Sequence, residues 1–325
     1  MRQADAGPAD AAARPYRVLT IDGGGIKGVF AASLLAEFEA TLGEPLVDHF
    51  DLIAGTSTGG IIALGLGLGI PAAELLDFYV NEGPAIFENR RRRSLRQIVA
   101  PKYDSQPLRS ALVNAFGEKL LGDSLTRLVI PSLNLETGEV HVFKTAHHER
   151  FVRDYRVRAV DVALATAAAP TFFPTHHLAS GEPLVDGGMW ANNPMGTAAV
   201  EAVGLLNWPS GDVRLLGVGC TESPVDGVRR QSGLTNYWAK RIVTTFMAGQ
   251  SSSSLGTAQL LLGRRNVHRI SPSVGGGRYK LDGVDAISSL KGLGASEARK
   301  EYPKVQSMFL TGPRQPFVPA RTVAL

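Results

Sequence analysis

The residues Gly55-Thr56-Ser57-Thr58-Gly59 set a hydroxyl nucleophile between two glycines, with the apolar run Leu52-Ile53-Ala54 before it and the helix-like run Gly60-Ile61-Ile62-Ala63-Leu64 after it. Strand, G-x-S-x-G and helix in that order form a nucleophile elbow, a hairpin-tight reversal that pushes one side chain clear of the backbone. Gly55 and Gly59 carry no Cβ, so strand and helix can close together while Ser57 holds a strained conformation. Thr58 opens the helix with an uncommitted N–H, able to stabilise a developing oxyanion with help from the helix dipole. An ordinary Gly/Ser loop is the bland alternative, and the strand-to-helix setting argues against it.

Two further stretches can complete such chemistry. Asp22-Gly23-Gly24-Gly25-Ile26-Lys27-Gly28 follows the strand candidate Tyr16–Ile21 and precedes a helix pattern from Val29 to Ala40. Gly23, Gly25 and Gly28 satisfy G-x-G-x-x-G, the dinucleotide fingerprint, which wants an acidic residue ending the next strand. Here Asp51 begins that strand and the serine turn ends it. The other reading is an oxyanion hole of glycine N–H groups, because adjacent βα turns of a parallel sheet open at one edge and would face each other. In Pro183-Leu184-Val185-Asp186-Gly187-Gly188 an apolar strand ends in a carboxylate, and Gly187 and Gly188 permit a sharp departure. An aspartate at a strand end would sit at the same rim as Ser57, although an Asx-turn aspartate looks the same in sequence.

The elements that must position these residues read as one α/β domain. The strand, Gly-rich turn, helix and second strand make a βαβ unit and hence a parallel sheet. Arg127–Asn134 and Val140–Phe143 read as a hairpin, Arg158–Ala169 as an Ala-rich helix, 194–206 as a helix opened by Pro194, and Val213–Val218 and Asn266–Ile270 as strands. Asn236–Leu262 reads as a long helix. Residues 1–15 read as a flexible leader, 16–310 as a single domain, and 311–325 as a Pro- and Gly-punctuated tail. The 325 residues, 44% hydrophobic and 20% charged, suit a globular chain with a sizeable core. Cys220 is the single cysteine, which excludes an internal disulfide and fits a reducing cytoplasm. The net charge of +4 is a mild basic excess. The most apolar stretch, Ile61–Ala73, falls short of the roughly 20 residues of a spanning helix, so any membrane contact is expected to be peripheral. Arg90–Arg93 reads as a solvated loop, with anionic lipid as the sharper alternative.

Asp22–Gly28, Gly55–Gly59 and Asp186–Gly188, in that order, resemble the three blocks of the patatin-like phospholipases. The stretches Ala165–Pro174 and Gly188–Pro194 are also similar to that family. The resemblance implies a three-layer α/β/α sandwich with a mainly parallel central sheet, and a phospholipase A-type lipid acyl hydrolase using a Ser57–Asp186 dyad. It places the oxyanion hole on Gly23, Gly24, Gly25, Gly28 and Thr58, supported by Lys27, and it implies no metal or other cofactor. Lys27 stands where the family usually carries arginine; the charge is kept and the planar fork is not. Through the Phe143–His148 segment and the Ser/Arg-rich region after residue 230, the chain also resembles bacterial patatin-like effectors of cyclic-oligonucleotide anti-phage signalling. That implies a cyclic dinucleotide activator, a phospholipid substrate at the inner membrane surface, a cytoplasmic location, no nucleic-acid partner, and room for a homo-oligomer.

Two rivals remain. The order Ser57, Asp186, His268 matches an α/β-hydrolase esterase triad, although His268 lies within a strand pattern, where a structural histidine is the commoner role. A non-catalytic nucleotide-binding switch would instead use the Gly-rich turn.

Overall fold

The computed structural model describes residues 14–88, 100–222, 239–275 and 278–322. The leader before residue 14 and the Arg90–Arg93 run lie outside them. The strands are β1 (Tyr16–Ile21), β2 (Leu52–Gly55), β3 (Arg127–Asn134), β4 (Val140–Lys144), β5 (His176–His177), β6 (Pro183–Asp186), β7 (Val213–Val218) and β8 (Val267–Ile270). They form one sheet of order β5-β6-β3-β2-β1-β7-β8, with β4 paired to β3. The run β3-β2-β1-β7-β8 is parallel throughout.

The helices are α1 (Gly28–Leu42), α2 (Thr58–Gly67), α3 (Ala72–Ile86), α4 (Gln106–Phe116), α5 (Ala159–Thr166), α6 (Gly188–Ala191), α7 (Met195–Val200), α8 (Ala239–Leu262) and α9 (Ile287–Phe309). Central strands alternate their side chains between two apolar layers. Leu19, Ile21 and Ile53 pack beneath α1, α2, α3 and α9. Val18, Leu52 and Ala54 pack against α7 and α8 on the opposite face. The architecture is therefore the α/β/α sandwich that the family resemblance implies. Helix α2 is buried at every position, as its all-round apolar sequence requires.

Strand β6 departs from expectation. It runs antiparallel to β3, pairing Asp186 with Ser132 and Leu184 with Asn134. Asp186 thus does not reach the rim as the end of a parallel strand. Residues 129–133 of β3 pair with β4 along one edge. The other edge is shared, with β2 taking residues 127–129 and β6 taking 132–134. Strands β2 and β6 therefore run toward each other and stop head to head. Pro131 lies in the gap between them, where a residue without an N–H costs the ladder nothing.

The C-terminal part also differs. Residues 287–309, whose Gly292, Gly294 and Pro303 argue against a helix, form the 23-residue α9. Its narrow buried stripe, Leu290, Gly294, Ala298, Val305 and Phe309, lies on α1, and Gly294 lets the two backbones touch at the Phe30 carbonyl. Tertiary burial outweighs the poor local propensity. The helix expected over 194–206 is α as far as Val200 and continues as a π-turn over Glu201–Leu205. Beyond α9 the tail lies on the body, where the Arg314 N–H donates to the Asp48 carbonyl (2.5 Å) and that of Ala320 to Ala146 (2.7 Å).

Candidate active site

Ser57 stands between the end of β2 and the start of α2 with φ +56° and ψ −123°, a conformation that side-chain-bearing residues rarely adopt. The glycines make the turn possible. A Cβ on Gly55 would lie 2.1 Å from the Gly59 carbonyl oxygen, and one on Gly59 would lie 2.2 Å from that of Ile21. The Ser57 N–H donates to Thr166 Oγ1 (3.0 Å), whose own hydroxyl donates to the Pro131 carbonyl (2.6 Å). A hydroxyl from α5 thereby pins the elbow to the middle of β3.

The Ser57 hydroxyl donates to Asp186 Oδ2 at 2.6 Å. The Gly188 N–H holds the other carboxylate oxygen at 2.7 Å, and Gly187 turns tightly against the Pro131 carbonyl. The head-to-head meeting of β2 and β6 accounts for this contact between residues 129 positions apart. Burial pushes the Asp186 carboxyl up to about 6, against the pull of the Ser57 and Gly188 donors. It is ionised at neutral pH and still basic enough to take a proton.

The six residues implied for the oxyanion hole and its support divide in two. The Gly23 N–H is spent on the Asn192 carbonyl (2.9 Å), and Asn192 Nδ2 returns a bond to the Gly23 carbonyl (3.2 Å). Gly28 N–H caps the preceding turn at Gly25 and Ile26, and Gly28 serves to let α1 approach the Thr58 side chain. Lys27 Nζ reaches the Thr221 carbonyl (3.3 Å), bracing the chain after β7 and not the cavity. Gly23 and Gly28 are corrected from donors to supports, and Lys27 stays a support that does not face the cavity. Gly24, Gly25 and Thr58 line the cavity beside Ser57, and among the described residues their N–H groups serve no backbone carbonyl. Gly25 has φ +57°, and the Leu281 carbonyl occupies the place of its missing Cβ.

Several supporting residues carry no local signal. Tyr79 of α3 takes the Thr58 hydroxyl (2.7 Å) and donates to the Thr58 carbonyl (2.9 Å), fixing the start of α2. The Leu281 carbonyl accepts the Ile26 N–H (2.8 Å), and the adjoining Asp282 is held by Lys102 Nζ and by the Tyr103 hydroxyl (2.7 Å). Asp22, just ahead of the glycines, is gripped at both oxygens by Arg269 of β8 (3.2 and 2.7 Å). Although burial works against the Arg269 charge, Asp22 and Glu222 drive its pKa up. Thr166, Asn192, Asp282 and Arg269 are all brought in from distant sequence, so spacing alone could not find them.

Above Ser57 lies a cavity of about 540 Å³, walled by Ile61, Phe78, Ile86, Phe87, Phe172 and Phe173. Exposed Met189 and Phe246 stand at its wall as well. Its volume suits a small-molecule site, and its lining suits a hydrocarbon chain better than a polar ligand. His268 is not there. It is committed to Glu301 of α9 (Nε2 to Oε2, 2.9 Å) and paired in register with Leu216, which sets aside the esterase triad. Among the described residues no three His, Cys, Asp or Glu side chains cluster as a metal site, and no helix is long and apolar enough to cross a membrane.

A serine elbow, one carboxylate and a glycine turn on a parallel α/β/α sheet define the class of dyad serine hydrolases. The patatin-like phospholipase family model matches residues 19–199, and the chain belongs to that family. A cGAMP-activated phospholipase of Pseudomonas aeruginosa is 43% identical over 208 residues, covering 63% of this chain and 62% of that one. A protein of the same name from Vibrio cholerae is 37% identical over 274 residues, covering 75% and 76%. The chain thus spans about three-fifths to three-quarters of these relatives. Among solved structures, Pseudomonas aeruginosa ExoU bound to SpcU aligns at 17% identity over 78% of this chain and 53% of that one, with a TM-score of 0.37.

Proposed function

We propose that the chain is a lipid acyl hydrolase of phospholipase A type, with Ser57 as nucleophile and Asp186 as general base. The observation that carries this is the 2.6 Å Ser57–Asp186 hydrogen bond at the floor of an apolar cavity. The acyl chain of a phospholipid lies along the phenylalanine wall, with its ester carbonyl over Ser57. Asp186 removes the hydroxyl proton as Oγ bonds to the carbonyl carbon. The resulting oxyanion faces the Gly24, Gly25 and Thr58 N–H groups, which are already in place and need no reorganisation. The intermediate collapses, the C–O bond to the lysolipid breaks, and Asp186 returns the proton to the departing alkoxide. Water, deprotonated by Asp186, then attacks the acyl-enzyme and frees the fatty acid and Ser57.

A carboxylate can do the work that histidine does elsewhere because burial has raised its basicity. The substrate is reached from the surface of a membrane, in keeping with exposed Met189 and Phe246 beside the cavity. The names of the two bacterial relatives further suggest activation by a cyclic dinucleotide. The test incubates purified protein with phospholipid vesicles, with and without cyclic GMP–AMP, and measures released fatty acid. Ser57→Ala and Asp186→Asn should each lower release at least ~10³-fold, and a fluorophosphonate should label wild type at Ser57. Unlabelled serine with no fatty acid released under any condition would overturn the hydrolase assignment.

A further inference from the structure

At the end of the sheet opposite Ser57, the strands begin with arginines. Arg17 of β1 and Arg214 of β7 are direct register partners in the parallel ladder. Arg127 opens β3, and Arg14 and Arg314 come in from the flanking chain. Like charges facing each other across a ladder are unfavourable. Among the described residues the carboxylates facing the cluster are Asp51, which pairs with Arg14 at 2.6 Å, and Asp48, which faces Arg314. Glu44 is taken by His49.

Several of the guanidinium bonds go to neutral groups. Arg17 binds the Gly312 carbonyl and Thr311 Oγ1, Arg214 the Met308 carbonyl (3.1 Å), and Arg314 Nε the Val47 carbonyl (2.8 Å). These occupy N–H groups without cancelling charge, which is costly at buried sites. Arg17 is wholly buried, and among the described residues its Nε, Arg14 Nη1 and Arg127 Nε have no hydrogen-bond partner. Burial and then the neighbouring Arg14 push the Arg17 pKa down to about 10. Arg127 and Arg314 are lowered too, by burial first and against the pull of Asp51 and Asp48, with Arg314 repelling Arg127 and Arg14 repelling Arg314.

Aromatic planes stand among these charges. The Arg127 guanidinium sits over Trp208 at 5.4 Å and over Phe317 at 5.1 Å, and Trp208 stacks flat on Tyr16 at 4.3 Å. Arginines that outnumber the carboxylates facing them, beside aromatic rings, suit a ligand with both phosphate and a base. Arginine forks match phosphate oxygens, and guanidinium and aromatic planes accept bases.

We propose that the cluster of Arg14, Arg127 and Arg314, backed by Arg17 and buried Trp208 and flanked by Phe317, is a nucleotide phosphodiester site remote from Ser57. It gives the activator of the proposed function a place to bind and rests on that part of the reading. The Arg17 and Arg214 bonds at residues 308–312 tie the cluster to α9. Helix α9 packs on α1, which begins at Gly28 against Thr58.

The test uses the full chain. Calorimetry with cyclic GMP–AMP should show binding that weakens with salt. Arg127→Gln with Arg314→Gln should weaken it about 100-fold, since each lost charge-assisted contact is worth about tenfold. Phenylglyoxal modification of wild type, mapped by mass spectrometry, keeps the test open if that variant does not fold. Cyclic GMP–AMP should protect Arg14, Arg127 and Arg314. Unchanged affinity in a folded variant, or no protection of these arginines at saturating nucleotide, would overturn the site. Equal protection by inorganic phosphate or by phosphatidylglycerol vesicles would overturn the nucleotide class. Fluorophosphonate labelling of Ser57 and cleavage of a soluble short-chain ester report the hydrolase separately, so the two readings can fail independently.

Discussion

Replacing Asp186 by asparagine should inactivate the enzyme and stabilise the fold, with a pH dependence that identifies the cause. The carboxyl is buried, and burial raises its pKa from the ordinary 3.8 to about 6. The folded protein therefore holds this proton more tightly than the unfolded chain does. Stability is highest below pH 3.8, falls as pH rises through the window from 3.8 to about 6, and stays lowered above it. At about 1.4 kcal/mol per tenfold difference in proton affinity, the loss comes to about 3 kcal/mol.

Asparagine has nearly the same shape and carries no charge. Its Oδ1 can still accept the Gly188 N–H, and its Nδ2 can donate to Ser57 Oγ in place of the bond that Ser57 gave. Urea unfolding from pH 3.5 to 8 should show the variant gaining on wild type across that window, levelling near a 3 kcal/mol advance, or about 4 °C in Tm for a chain of this length. Taking the difference between the two proteins at each pH cancels every other titrating group. A flat difference across the range, or a variant that loses ground as pH rises, would refute the idea that burial of an ionised Asp186 strains this site.

The same carboxylate should shape the pH–rate profile. kcat/KM measured on a soluble ester should rise about tenfold per pH unit below pH 6 and level off above it; activity insensitive to pH there would remove Asp186 as the base. Gly25→Ala should lower kcat by about 10² or more, because φ +57° and the Leu281 carbonyl leave no place for a Cβ and the oxyanion turn must shift. KM should change far less, and an equal rise in KM would point to a damaged substrate cavity instead. His268→Ala should keep kcat/KM within about twofold while losing about 1 kcal/mol of stability with the Glu301 bond. Loss of several orders of magnitude in rate would reinstate the triad.

How far the site was legible in the sequence depended on how local each feature is. The elbow could be read because its physics is contiguous, with strand, glycine, serine, glycine and helix all lying within residues 52–64. The glycine turn was readable for the same reason, but not which of its N–H groups point at substrate. Gly23 looks like Gly24 in sequence, and only the distant Asn192 carbonyl separates their roles. Asp186 does end its strand, as its sequence pattern suggests, yet the path that brings it to Ser57 was misjudged. A four-residue apolar strand shows no direction, and its antiparallel register on β3 is decided by how the chain returns across the sheet. Helix α9 was missed because its glycines and proline speak locally against a helix, while α1 provides burial that a sequence window does not contain.

The sequence by itself determined the chemistry on offer: a serine on a strained turn, a carboxylate to pair with it, glycine amides at the next turn, and apolar runs enough for a buried parallel sheet. Each of these rests on neighbours within a few residues, where backbone geometry and side-chain type decide the outcome together. Only the tertiary structure decided that two strands meet end to end along β3, that the Gly23 and Gly28 N–H groups are spent elsewhere, and that arginines from distant stretches of chain gather at the far rim. Those outcomes depend on which surfaces the fold buries against each other. Burial also sets the basicity of Asp186 and leaves the arginines without enough opposing charge.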